Sequence, residues 1–236
     1  MNSKWIPGRH YGPVLTGIEL YTLQAAQGIK CLQLNPILTQ TNDAFHLVFN
    51  LSLNQDLGGY TQAEPNKDIP FTPHEDEPAT FPRVAEMYII TKYSPWVTHV
   101  ENPGGITLKD VCVALWQTYN GKTGKAPDVT DTEFSWLPVR VQDKFKREHE
   151  ANVARAAAEE RERAYTGHNT HWAAQYSPGG RSPGPRPVDA KMVIKRPTYL
   201  NGRLWFDGLD FNEDYAMSRL GYKAPNIFTL SLITEL

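Results

Sequence analysis

The stretch VENPGGITLKDVCVALWQTY, residues 100–119, decides how this chain is read. It runs from a strand end through a glycine turn into a helix, the layout of a phosphate-cradling loop. The residues do not complete that loop. A phosphate loop of the common type needs G-x-x-x-x-G-K-[ST], whose lysine and hydroxyl meet phosphate and magnesium. Gly104-Gly105 is instead followed by Ile106-Thr107-Leu108-Lys109, and G-x-G-x-x-G is absent too. Thr107 and Asp110 stand at capping-box spacing, with Asp where Glu or Gln is usual, and Asp110 discourages an anion at that helix end. Leu108, Val111, Cys112, Leu115 and Tyr119 then share about 100° of a 3.6-residue period, which predicts a core-facing helix over 107–119.

Strand signals surround this helix. FHLVFNLSL puts Phe45, Leu47, Phe49, Leu51 and Leu53 on one face of a two-residue period, the clearest strand pattern in the chain. CLQLNPIL suggests a strand broken at Pro36. VAEMYIIT (84–91) and PWVTHV (95–100) flank a short turn, while IELYTLQAAQ (18–27) fits a short helix or a strand. Residues 54–80 read as a long polar loop with a solvated HEDEP (74–78). Near the C-terminus AKMVIK, RLWFDGL and NIFTLSLITEL read as strands, the last apolar enough for a buried position. The expected fold is α+β: a mostly antiparallel sheet packed against the 107–119 helix, in one domain over residues 1–236.

An insertion at 121–187 interrupts that domain. It begins as a polar linker and continues as a charge-dense helix, VQDKFKREHEANVARAAAEERERAY (141–165), with a thin apolar stripe of Val141, Phe145, Val153 and Ala157. It ends in SPGGRSPGPRP (177–187), whose prolines and glycines exclude regular structure.

The order of YGPVLTG, LNPIL, FNLS, PATFPRVAEMYIIT, PWVTHVENPGGITLKDV, LNGRLWFDGLD and FTLSL resembles a fungal, largely mushroom-lineage family known only as a domain of unknown function, number six-six-nine-nine. The likeness covers roughly residues 11–53, 78–120 and 190–232. It departs at Phe49-Asn50-Leu51, where the family carries a WDL-like strand, and in the long insertion. The resemblance implies a fungal source and an intracellular α+β domain. It implies no activity and no catalytic residues.

Catalytic and metal signatures are weak. GRSPG (180–184) spells G-x-S-x-G, but prolines crowd Ser182, where a nucleophile elbow needs a strand before it and a helix after. His168 and His171 have the spacing of zinc ligands on a helix but lack a third. DGLDFNED starts like a calcium loop, yet Tyr215 and Gly221 occupy the required glycine and glutamate positions, leaving an acidic surface turn. His99 suits a general base near the helix start, without a nucleophile placed beside it.

Composition sets outer limits. A hydrophobic fraction of 40% and an aromatic fraction of 11% support a core, and a formal charge of −2 gives no general reason for nucleic-acid binding. Cys31 and Cys112, both among apolar neighbours, read as reduced buried thiols of an intracellular protein, cytoplasmic or nuclear. No secretory leader is visible, and no apolar run is long enough to span a membrane.

The leading expectation is a non-enzymatic interaction module that uses no cofactor and binds an unidentified protein. Arg181, Arg186, Lys195 and Arg196 are the partner-binding candidates, from a basic stretch between 181 and 203. The alternative is a ligand-binding protein or enzyme built around the 95–107 strand-helix junction and the 204–210 strand. Its candidates are His99 and Asp207 for catalysis and Trp96 and Trp205 for binding.

Overall fold

The computed structural model describes residues 4–7, 12–27, 32–53, 57–168 and 192–235, and the side chains of 164–168 fall outside that description. The chain divides into two compact units, Met1–Asp128 with Lys195–Leu236, and Val129–Ile194. The fold is α+β with mostly antiparallel sheets.

In the first unit the predicted hairpin forms between β6 (Glu86–Thr91) and β7 (Ser94–Glu101). The apolar C-terminal run becomes β9 (Ile227–Ile233), parallel to β6 and antiparallel to β8 (Trp205–Asp210). The sheet order β7-β6-β9-β8 therefore puts the last strand of the chain inside the sheet, which is why five of its seven residues are buried in an unbroken or nearly unbroken run rather than on alternate positions.

The helix of the opening stretch is α2 (Leu108–Asn120), capped by Thr107. All five predicted stripe residues are buried in the main core beside Met87, Ile89, Val100 and Phe228. Each aliphatic side chain so buried contributes about 1.5–3 kcal/mol before entropy is counted. The opposite sheet face carries a smaller core, where Ala216 of α6 (Glu213–Leu220) meets Ile90 and Ile227.

Residues 45–53 form less strand than the pattern predicts. Phe45, Leu47, Phe49 and Leu51 are buried, but β2 covers only His46–Val48 and Leu53 is exposed. Asn50 ends the strand, its Oδ1 accepting from Ser52 N at 2.9 Å and Ser52 Oγ at 2.8 Å. The chain then pairs elsewhere: Leu51 N donates to Leu204 O and Phe206 N to Phe49 O.

Residues 54–80 are not one long loop. They contain β3 (Gly58–Thr61) and β4 (Glu64–Pro70), which complete the sheet β2-β3-β4. β4, EPNKDIP, is almost wholly exposed, so no apolar alternation marks it. Gly59 permits the pairing, because a Cβ there would lie 2.3 Å from His46 O and 2.5 Å from Phe45 Cζ. β1 (Gln33–Leu34) pairs with β5 (Thr80–Phe81) as a separate short ladder.

Other local readings are decided or changed. IELYTLQAAQ is helical, as α1 (Gly17–Gln27). The acidic turn after Asp210 is the start of α6, with Asn212 Oδ1 accepting from Tyr215 N at 2.9 Å. The expected strand AKMVIK is absent over its described residues. The chain makes one bridge there, Asp128 to Lys195, and then turns into α5 (Arg196–Tyr199), with Pro197 in its first turn.

The second unit holds α3 (Asp131–Ser135) and α4 (Val139–His168). α3 falls in the stretch expected to be a linker, and a Thr130–Glu133 capping box starts it. Phe134 and Phe145 approach with ring centroids 6.5 Å apart, and Leu137 and Phe145 are buried. α4 has 30 residues, a length of about 45 Å.

Candidate functional site

The first turn of α2 has no donor left for a ligand. Asp110 Oδ2 accepts from Thr107 N at 2.9 Å, Thr107 Oγ1 at 3.0 Å and Asn102 Nδ2 at 2.7 Å, while Asp110 N donates to Thr107 Oγ1. The next two amides are taken by the segment read as a solvated loop: Leu108 N donates to Glu77 O and Lys109 N to Glu75 O. The groups that would cradle a phosphate are thus spent inside the fold. HEDEP is an ordered cap. Lys109 pairs with Glu75 at 3.0 Å, and Glu77 takes His74 Nδ1 at 2.7 Å and Asn35 Nδ2 at 3.1 Å. Of the two glycines, Gly105 is the one the backbone requires, at φ +98°, with Arg83 and Val14 close to where a Cβ would stand.

Trp96 and Arg196, predicted for different roles, meet each other. The Arg196 guanidinium lies 4.6 Å from the Trp96 ring centroid and donates to Thr118 O at 2.8 Å. Tyr119 and Tyr199 meet Trp96 edge-on, at 5.8 and 4.9 Å. A cation over an indole and against the last turn of a helix satisfies both the ring quadrupole and the helix dipole. Burial pushes the Tyr119 phenol up to about 12, against the opposing effects of its Ser94 hydrogen bond and the Arg196 charge. This cluster ties β7, α2 and α5 together. Arg196 therefore serves the interior of this unit, and Lys195 beside it pairs with Asp128.

The other candidates do not join Trp96. His99 is exposed and stacks on Tyr88, with centroids 4.7 Å apart and planes within 8°. His99 stands three positions after Trp96 on the same strand, an odd offset, so the two point to opposite sheet faces. Trp205 and Asp207 lie on β8, at the far edge of the sheet from β7. Three strand spacings part them from His99, about 14 Å. The 95–107 junction and the 204–210 strand thus form no common site. Trp205 is half-buried and Asp207 exposed.

His171, Arg181, Arg186 and Cys31 lie outside the described residues, as does the side chain of His168. Among the described residues no three His, Cys, Asp or Glu side chains gather as metal ligands. Cys112 is buried, and desolvation pushes its thiol up to about 12, which leaves it a poor nucleophile.

A cleft of about 410 Å³ opens where α1 approaches α6 and the turn after it. Tyr21, Gln24 and Ala25 line one side, and Phe211, Lys223 and Ala224 much of the other. Sequence reasoning passed over it. The available signal was that α1 is apolar on two sides: Leu20 enters the core while Ile18 and Tyr21 stay exposed. No described helix is long and apolar enough to cross a membrane.

The chain belongs to a family of unknown function, DUF6699, whose model matches residues 47–219. That span includes all but the first residue of the β2-β3-β4 sheet, the β6–β7 hairpin, α2, both helices of the second unit and β8. No curated protein and no solved structure matches the chain.

Proposed function

We propose that this chain is a non-enzymatic interaction module that presents α4 to a protein partner. The observation that carries this reading is the exposure of α4. Between Lys146 and Arg163 every side chain is exposed except His149 and Val153, which are partly covered. A helix that is polar around nearly its whole circumference draws little stability from a core of its own and suits contact with another surface. Its alternating charges, such as Lys144 and Glu148 at 3.8 Å, support the helix and give it a patterned surface for recognition. A fungal source and a cytoplasmic or nuclear location are expectations that accompany this reading.

The test compares proteins captured by the full chain, by a form lacking residues 140–187, and by an Arg155→Glu/Arg161→Glu variant. Specific partners should be lost with the deletion and weakened by the charge reversal. An unchanged partner set overturns the proposal.

A further inference from the structure

We propose that the face formed by α1, the start of α6 and the turn after it docks a partner-protein segment in which an apolar side chain is flanked by arginine or lysine. This surface belongs to the first unit and stands independently of the role proposed for α4.

The apolar half of the argument is the 410 Å³ cleft and its surroundings. Ile18 is 82% exposed, Tyr21 63% and Tyr222 49%. Ile18, Tyr21 and Ala25 follow the i, i+3, i+7 spacing of one helix face, opposite the Leu20 side that enters the core. Tyr21, Phe211 and Ala224 leave room between them for an inserted side chain. Scattered exposed apolar residues need no explanation, but several bordering one cleft mark an interaction surface.

The charged half is acidic. On one side Glu213 and Asp214 share the single ammonium of Lys223, at 3.3 and 3.6 Å, leaving a net negative charge. On the other, Ala224 and Tyr88 pack against the same small core, which joins the cleft to the β6–β7 hairpin. There Glu86 and Glu101 sit directly opposite each other in the antiparallel register. Neither forms an ion pair with a lysine or arginine among the described residues. Like charges at such a pair cost stability. Glu86 lies near the start of α1 at Gly17, where the helix dipole offsets part of that cost, whereas Glu101 lies on the edge strand. Lys223 is the basic group at the cleft itself, whereas Lys92 lies over the Tyr215 ring and Arg219 donates to Pro95 O at 2.6 Å.

The cleft mixes apolar walls with the Glu213–Lys223 pair, and the surplus negative charge of Asp214 at its edge and of Glu86 beside the start of α1 favours a basic occupant with an apolar anchor. The same charge argues against the other occupants. A second copy joined by a two-fold contact would set this acidic face against itself, and an anionic membrane would repel it.

The experiment is an amide NMR titration of the full chain with the amidated peptide Arg-Arg-Leu-Leu-Arg-Arg, with hexa-arginine as the charge-only control. The peptide should shift Tyr21, Phe211, Tyr222 and Ala224 saturably, and hexa-arginine should bind about tenfold more weakly. Tyr21→Ala, at an exposed position the fold tolerates, should weaken binding about tenfold. Glu86→Gln with Glu101→Gln should weaken it about threefold and reduce its salt dependence. Arg155→Glu/Arg161→Glu should leave it unchanged, so failure here and failure of the α4 proposal can be told apart. Shifts centred elsewhere, equal binding of hexa-arginine, or indifference to Tyr21→Ala overturns the assignment.

Discussion

Asp110 offers the sharpest test of the physical account of α2. One oxygen of its carboxylate accepts from Thr107 N, Thr107 Oγ1 and Asn102 Nδ2, all within 3.0 Å. Asp110→Ala removes all three bonds and the negative charge at the positive end of the helix. Loss of the reciprocal cap costs about 1 kcal/mol, loss of the charge about 0.3–1, and loss of the Asn102 bond about 1. The groups are half-buried and the terms overlap, so the expected total is about 2–3 kcal/mol. Asp110→Asn keeps the shape and an acceptor oxygen and should cost about 1 kcal/mol. Amide hydrogen exchange at Leu115, in the buried stripe of the same helix, reads the loss directly. Exchange there should rise about seventyfold in Asp110→Ala and about fivefold in Asp110→Asn. A change of less than twofold in the alanine variant would refute the claim that this cap holds the helix start. Equal losses in the two variants would assign the effect to charge and leave bonding geometry out.

Other expectations concern alkaline pH, strand pairing and the tryptophan cluster. Cys112 rises from 9.0 to about 12 and Tyr119 from 10.0 to about 12 on folding, so both keep their protons in the native state where the unfolded chain has lost them. Stability from these groups is fully present below pH 9.0 and falls as pH rises, by up to about 1.4 kcal/mol per unit from Cys112 and by a similar additional slope from Tyr119 above 10.0. Urea titrations of wild type and Cys112→Ala between pH 9.0 and 10.0 check this, and parallel curves would contradict it. Gly59→Ala forces a methyl against His46 O and Phe45, and should cost about 2–3 kcal/mol in urea unfolding. A neutral outcome would mean that β2 and β3 are not paired as described. Arg196→Ala should cost about 1–3 kcal/mol and change Trp96 fluorescence, while Arg196→Lys should restore little because it lacks the planar fork. Full rescue by lysine would reduce the contact to simple charge.

The sequence by itself determined those features that depend on near neighbours. The stripe from Leu108 to Tyr119, the Thr107–Asp110 box, the β6–β7 hairpin and the buried character of 227–233 all follow from periodicity and capping within a few residues. The phosphate loop was excluded the same way, by residues missing from fixed offsets. Burial also followed the alternation of Phe45, Leu47, Phe49 and Leu51, even where the strand itself stopped at Val48.

Only the tertiary structure decided which distant segments meet. β4 is exposed and polar, so its strand comes from backbone pairing with β3, which leaves no hydrophobic pattern to read. HEDEP looks solvated in sequence because the amides at the start of α2 are capped by its main-chain carbonyls, which any residue carries. Trp96 and Arg196 come together because α5 lies beside the end of α2, whereas His99 and Asp207 are held apart because β6 and β9 occupy the middle of the sheet. Side-chain periodicity reports which face of an element is buried. It carries no information about strand order, and strand order sets the distances between candidate residues here.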